Sequence, residues 1–304
     1  MKYILIVLLT LSSYGFDYQL KPVKVANDVY CFFGKLENIN KANGGNMVNT
    51  CFVATKEGFV VIDSGPTYEY ASQVFDQMQK IAKLPVKYVI STHEHDDHWL
   101  GNSFYKSKGA SIVGPKAYDE NVVVGMETRM QRVLGKELYG KTSIVKLDTV
   151  VDDNLTLTLG DKHFVIKQFV KHAHTEGDLV IHLEEERVVF AGDVVFNGRV
   201  TSIRDGSIIG SLKVLDYIDA LKPKVIVGGH GSKTDVNATA SLRNYLTDMK
   251  KEILEMIEND VSIHEITEKV IMPKYKEMKL YDVLHKSNVE HAYEELEMYD
   301  ADDE

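Results

Sequence analysis

The stretch "STHEHDDHWLGN", residues 91–102, sets His93, Glu94, His95, Asp96, Asp97 and His98 in consecutive positions. It follows "VKYVIS", a short continuous apolar run of the kind buried on both faces of a sheet. Polar groups at the carboxyl end of a buried strand are where layered α/β folds place their chemistry. In an extended or turning segment, alternate residues point the same way. His93 and His95 can therefore face one ion together, and Asp97 and His98, past the bend, can face a second point close by. Imidazole suits zinc, and a carboxylate adds a hard oxygen ligand. One short segment cannot close such a site, so further ligands must come from distant sequence.

Working outward, the first half reads as strands. "VKVANDVYCFF" forms a hairpin around Asn27-Asp28, and "VNTCFVAT" turns at Glu57-Gly58 into "FVVID". Residues 67–83 keep helical spacing, with Val74, Phe75, Met78, Ile81 and Ala82 on one face. The second half repeats the texture. "LTLTL" turns at Gly160-Asp161 into "HFVIKQFV", and "DLVIHL" turns at "EEER" into "VVFAG". A helix follows over 209–221, and then "KVIVGG" ends at His230. Two β-rich stretches that each lead into helix and strand imply two stacked sheets with helices outside. The polar, mostly helical stretch 119–143 lies between the halves and could overhang a site, but an ordinary surface helix is the preferred reading. The Gly- and Asn-rich loop 34–48 is expected to be mobile and, with 119–143 and 199–209, to set substrate choice.

Beyond Gly231 the texture is helical, with Leu242, Tyr245, Leu246, Met249, Ile253, Met256 and Ile257 in register. Ser262 and Glu265 read as a capping box, Pro273 as a break, and "LYDVLHKSNVEHAYEELEMY" as the last helix. The tail "DADDE" is acidic and expected to be disordered.

The distant ligands stand at strand ends: His174 in "HAHTEGD", with His172 a lesser candidate; Asp193, ending the strand "VVFAG"; and His230 in "GGHG". His163, His182, His264, His285 and His291 lack such company and read as ordinary. Glu94 and Asp96 alternate away from the ligands and would stabilise the loop. Arg199, close after Asp193, is a candidate for a substrate carboxylate.

The 304 residues are 44% hydrophobic and 26% charged, enough apolar content for a sizeable core. A formal net charge of -10 argues against nucleic acid or an anionic membrane as partner and says nothing specific about substrate, which the candidate site makes a small molecule. Residues 1–15, with Lys2, the run "YILIVLLTL" and the small residues of "SSYG", have the pattern of a secretory signal peptide. The expected product is periplasmic or secreted, with no transmembrane segment. Cys31 and Cys51 sit in strand-like text. An oxidising compartment permits a bridge between them, but two buried free thiols are the preferred reading.

The texts "THEHDDH", "HTEGD", "AGD" and "GHG", with "VVIDSG" and Asp63 upstream, resemble the metallo-β-lactamase-fold superfamily over roughly residues 25–232. The resemblance implies an α/β fold, a four-layered αββα sandwich. It divides the chain into residues 16–232 as the fold domain and 233–304 as a helical C-terminal extension. It also implies two metal ions per chain, zinc in the first reading and iron as the alternative. His93, His95 and His174 would match ligands of one ion, Asp97, His98 and His230 ligands of the other, and Asp193 the bridging carboxylate. Asp97 would double as the catalytic residue, orienting a metal-bridging hydroxide that attacks an ester, thioester, lactone or lactam carbonyl. In subclass B1 β-lactamases a cysteine stands where Asp193 is, which argues against a dedicated antibiotic-resistance role. Two further departures, Glu176 for a usual proline and Gly228-Gly229 for a usual Pro-Gly, remove no ligand. The text from Asp193 to Ser207 and the helical end are more similar to exported zinc hydrolases of the sulfur-oxidation and quinoprotein-associated type. Two rivals stand beside the hydrolase: a mononuclear iron persulfide dioxygenase, and a metal-binding protein without catalysis.

Overall fold

The structure, a computed structural model, describes residues 15–169 and 173–299. The signal-peptide reading (apart from Gly15), His172 and the acidic tail lie outside the described residues.

Seven strands form the first sheet in sequence order: β1 (Val23–Ala26), β2 (Val29–Phe32), β3 (Thr50–Ala54), β4 (Phe59–Ile62), β5 (Val86–Ile90), β6 (Ser111–Pro115) and β7 (Thr149–Val151). The first four pair antiparallel, and β4 to β7 pair parallel. Parallel neighbours need crossovers. These carry α1 (Tyr68–Ile81), α2 (Asp96–Trp99), α3 (Asn102–Ser107), α4 (Lys116–Asn121) and α5 (Arg129–Tyr139). The second sheet has five strands: β8 (Asn154–Leu159), β9 (Lys162–Phe169), β10 (Asp178–Leu183), β11 (Val188–Phe196) and β12 (Val225–His230), with α6 (Ile208–Ala220) crossing from β11 to β12. Three helices follow: α7 (Ala240–Glu258), α8 (Ile263–Lys269) and, after a 3-10 turn at Pro273–Tyr275, α9 (Tyr281–Glu297).

Alternation along the strands builds the layers. In β4, Val60 and Ile62 face the second sheet and meet Phe164, Ile166, Leu179, Ile181 and Phe190. Phe59 and Val61 face outward and pack on Tyr70, Val74 and Met78 of α1. On the other outer face, Val189, Ala191 and Ile226 pack under α6, α7 and α9 through Leu215, Leu246, Met249 and Val289. Each fully buried side chain of this size contributes about 1.5–3 kcal/mol. The order helix, sheet, sheet, helix is the expected αββα sandwich. No helix of the described residues is long and apolar enough to cross a membrane.

Three expectations need correction. Cys31 and Cys51 are bridged, with Cα atoms 4.0 Å apart. They stand directly opposite on β2 and β3, which sends both side chains to one face at bonding distance. Strand register decides that pairing, and neither cysteine's local text states it. The loop 34–48 is largely tied down instead of mobile: Asn43 bonds Asn40, Gly45 and Asn38, and residues 43–48 are buried. Ser262 does precede α8, but its hydroxyl bonds the Glu265 carboxylate at 3.3 Å and no helix N–H, so the two side chains pair with each other and the box is not made.

Candidate metal centre

The apolar strand β5 delivers the first ligands and Asp63, just past β4, sets their course. Asp63 accepts bonds from the Thr92 N–H (2.8 Å) and hydroxyl (2.9 Å) and from His98 Nδ1 (2.8 Å). It does so from a backbone φ of 53°, a left-handed conformation that few side chains adopt. The chain bends at His95, the N-cap of the four-residue α2, so Asp97 and His98 turn inward beside His93. Trp99 Nε1 donates to the Glu94 carbonyl (2.7 Å) and closes the loop on itself. His174 is held by its N–H, which with that of Thr175 donates to the buried Asp178 carboxylate. Burial pushes the Asp178 carboxyl up to about 6.

Asp193 lies inside β11 and does not end it, as the sequence suggested, because the strand continues through Phe196. Its register with β12 is broken on both sides of Gly192, which has a φ of 50°. Such irregularities re-aim side chains. Gly229 completes the fit, since a Cβ there would lie 1.8 Å from Asp193 Oδ1.

The result is two groups that can each hold an ion: His93, His95, His174 and Asp193; and Asp97, His98 and His230. Within each group the ligand atoms lie within 4.8 Å of one another. All seven predicted residues are therefore brought together. The Asp193 carboxylate stands between the imidazoles, at 3.1 Å from His98 Nε2, 3.3 Å from His230, 3.4 Å from His174 and 3.8 Å from His93. Asp97 Oδ2 lies 3.8 Å from His98 Nε2 and 3.7 Å from His230 Nε2.

Outer hydrogen bonds determine which nitrogen faces inward. His98 gives its Nδ1–H to Asp63 and His230 its Nδ1–H to the Met47 carbonyl at 2.5 Å, so each Nε2 presents a lone pair. His93 Nδ1 bonds Thr92 Oγ1 (3.0 Å), whose own proton goes to Asp63, with the same result. His95 is turned the other way. Its Nε2 meets Asp205 Oδ2 at 3.3 Å, and its Nδ1 faces His174 Nε2 at 3.0 Å. His93 Nε2, His98 Nε2 and Asp193 Oδ1 are buried without a hydrogen-bond partner. Unpartnered buried polar atoms are costly, and a divalent cation between them would satisfy all three. The residues present fit metal ions.

Charge agrees with that fit in part: at His98 burial is outweighed by Asp193, Asp63 and Asp97, which hold the ring well above the usual imidazole range, so an ion there would displace its proton. Burial lowers the basicity of His93 far below the usual imidazole range and that of His174 to about 3, leaving lone pairs free. Burial opposes ionisation of Asp193, but His230 and His98 hold it well below the usual carboxylate range. For Asp97, burial is likewise outweighed, by Arg129 and then His98 and His230.

Arg129 is a residue that sequence reasoning missed. It reaches from α5 to Asp96 (2.9 Å) and Asp97 (2.7 Å), and the Met130 N–H caps Asp96 at 2.7 Å. The stretch 119–143 is thus a wall of the site and not an ordinary surface helix. Its apolar Met130 and Leu134, which pack on Trp99, were the available signal. A cavity of about 420 Å³ opens above the two groups, lined by Met47, Arg129, Phe196, Arg199 and Leu284 among others. Arg199 is 7% exposed, donates its Nε–H to the Val200 carbonyl (3.3 Å) and lies over the Phe196 ring at 5.6 Å. Its Nη1 is 3.3 Å from His230 Nδ1, but that nitrogen carries the proton given to Met47. Among the described residues no carboxylate pairs with it.

The metallo-beta-lactamase superfamily model matches residues 43–230, and the chain belongs to that superfamily. It is 23% identical to the metallo-beta-lactamase type 2 of Elizabethkingia meningoseptica over 243 residues, 77% of this chain and 88% of that protein. It is 28% identical to the hydroxyacylglutathione hydrolase of Brucella anthropi over 156 residues, 51% of each chain. The solved sec-alkylsulfatase of Pseudomonas sp. superposes with a TM-score of 0.64 at 17% identity, covering 93% of this chain and 51% of that one. The chain thus spans about half the length of the last two proteins. All three relatives are hydrolases.

Proposed function

We propose that this protein is an exported, zinc-dependent hydrolase with two ions per chain, acting on an ester, thioester, lactone or lactam. The observation that carries the reading is Asp193, a buried carboxylate set between four imidazoles with one oxygen unpartnered. His93, His95 and His174 would hold one ion and Asp97, His98 and His230 the other, with Asp193 shared. Two such ions supply Lewis acidity and an activated water at neutral pH.

The chain's own residues do the rest. Asp97, held ionised by Arg129 on Oδ1, keeps Oδ2 toward the cluster, where it can orient a water and take its proton. Arg199, buried without a counter-ion on the cavity wall, favours a substrate that carries an anionic group. Phe196 and Leu284 exclude water beside it. Residues 16–232 form the catalytic domain in this reading, and 233–304 an extension upon it. The Cys31–Cys51 bridge supports export, since such bridges persist in oxidising compartments.

The test joins metal analysis to turnover. Protein purified from its own compartment should hold two zinc ions. It should hydrolyse at least one member of a panel of ester, thioester, lactone and chromogenic β-lactam, lose activity to a chelator and regain it with zinc. Iron with oxygen uptake would overturn the reading. Mature protein should begin near Phe16.

A further inference from the structure

We propose that Asn288, on the last helix, is a positioning residue for the metal centre, acting through the loop 198–206. This inference rests on the two-metal reading above, and goes beyond it by bringing the C-terminal helix into the working site.

The loop between β11 and α6 carries Arg199 at the cavity wall and Asp205 against His95. Apart from a lone bridge at Arg199, it has no sheet or helix pattern of its own. Its backbone groups must find partners elsewhere or be left unsatisfied. Some are met within the loop, and the partners that reach it from outside come from the segment after residue 278. The Val200 N–H donates to the Lys279 carbonyl (2.8 Å), and the Lys279 N–H donates to the Gly198 carbonyl (3.2 Å). Asn288 then grips the middle of the loop. Its Nδ2 donates to the Thr201 carbonyl at 2.6 Å, and its Oδ1 accepts from the Ile203 N–H at 3.2 Å. Glu295, two turns further along α9, accepts from the N–H groups of Ile208 (2.8 Å) and Ile209 (3.2 Å) where the loop enters α6.

Asn288 is 1% exposed and fully used, because its second amide proton goes to the Tyr245 hydroxyl at 3.2 Å. Tyr245 is itself bonded to His285, and His285 to the Val270 carbonyl. A buried amide with every donor and acceptor matched admits one orientation. Leu284, one turn earlier on α9, lines the cavity directly. The chain of contacts runs from α9 to Asn288, to the loop, to Asp205 and so to the His95 ring.

Asn288→Asp tests this with almost no change in volume. It sets an acceptor against the Thr201 carbonyl and should release the loop. A folded Asn288→Asp variant should bind zinc about three- to ten-fold more weakly at the group holding His95, below the ten- to hundred-fold that loss of a direct outer partner costs. This is read by competition with a chromophoric chelator. Amides of Val200 and Ile203 should exchange faster with solvent, and KM should rise more than kcat falls. Val289→Ala is the control for general loosening of α9: it should lower Tm without moving zinc affinity. If Asn288→Asp does not fold, Glu295→Gln repeats the measurement at the far end of the loop, with a smaller shift in the same direction. Wild-type zinc affinity and exchange in either loop variant overturn the proposal, as does an equal zinc loss in Val289→Ala. A wild-type protein that binds zinc but hydrolyses nothing sinks the hydrolase reading alone. If it binds no zinc, the metal reading fails, and the amide exchange still decides whether Asn288 holds the loop.

Discussion

The group of Asp97, His98 and His230 is keyed from within the sandwich, whereas the group containing His95 is keyed partly from its edge. His98 rests on Asp63 and His230 on the Met47 carbonyl, and all of these side chains are buried. His95 rests on Asp205, whose side chain is 38% exposed on a loop without regular structure. A partner in the core is held by packing as well as by its hydrogen bond. A partner at the edge is held by the loop that carries it and competes with water. The inner group is therefore preorganised, and the outer one is the place where position can be tuned.

In the proposed reading Asp193 is shared by both groups, so its loss should erase the difference. Asp193→Ala should weaken both ions by more than the roughly 100-fold that loss of an outer partner costs, and hydrolysis should vanish with them. Two ions retained at full activity would reduce Asp193 to a strand residue with no metal role.

Asp63→Asn should separate the groups. Whichever way the amide turns, at least one of the three donors it now accepts meets an N–H instead. Affinity at the His98 group should fall about 10- to 100-fold, measured by metal content after dialysis at stepped free zinc. A larger loss at the His95 group would reverse the comparison.

A chelator titration probes the same asymmetry without mutation. The ion held by His95 should leave first. Removing both should lower Tm by roughly 16–32 °C, taking about 4 kcal/mol for each ion at a thousand times its Kd and about 2–4 °C per kcal/mol for a domain of this size. Scanning calorimetry alongside metal analysis reads both steps, and simultaneous loss of the two ions would contradict unequal holding.

Asp205→Asn should cost only about three- to ten-fold at the outer group, below the full effect of an outer partner because water can replace it. A loss as large as that of Asp63→Asn would mean the edge is as rigid as the core. The paired change of Cys31 and Cys51 to Ser should leave both ions unaffected. It should lower stability by about 3 kcal/mol, the entropy of closing a loop of this length, read by denaturant unfolding.

Much of the fold was legible because alternation and helical spacing are local properties. "FVVID", "VKYVIS" and "HFVIKQFV" announced strands, and the continuous apolar run of "VKYVIS" announced a strand buried on both faces. The ligands were legible for a related reason. A buried metal site needs several histidines and acids at strand ends, a pattern with few cheaper explanations. Local text could not state register, so the opposition of Cys31 and Cys51 stayed hidden, as did the continuation of β11 through Asp193.

What the sequence determined by itself, then, was the set of candidate ligands and the kind of layers that would carry them, since both follow from residue type and period. Only the tertiary structure decided which nitrogen of each histidine faces inward, that Arg129 holds Asp97, and that α9 reaches back to the loop of Arg199 and Asp205. Those outcomes depend on hydrogen bonds between residues tens to hundreds of positions apart. A single arginine, asparagine or aspartate in a polar stretch looks the same in the sequence whether it meets water or a ligand's far side.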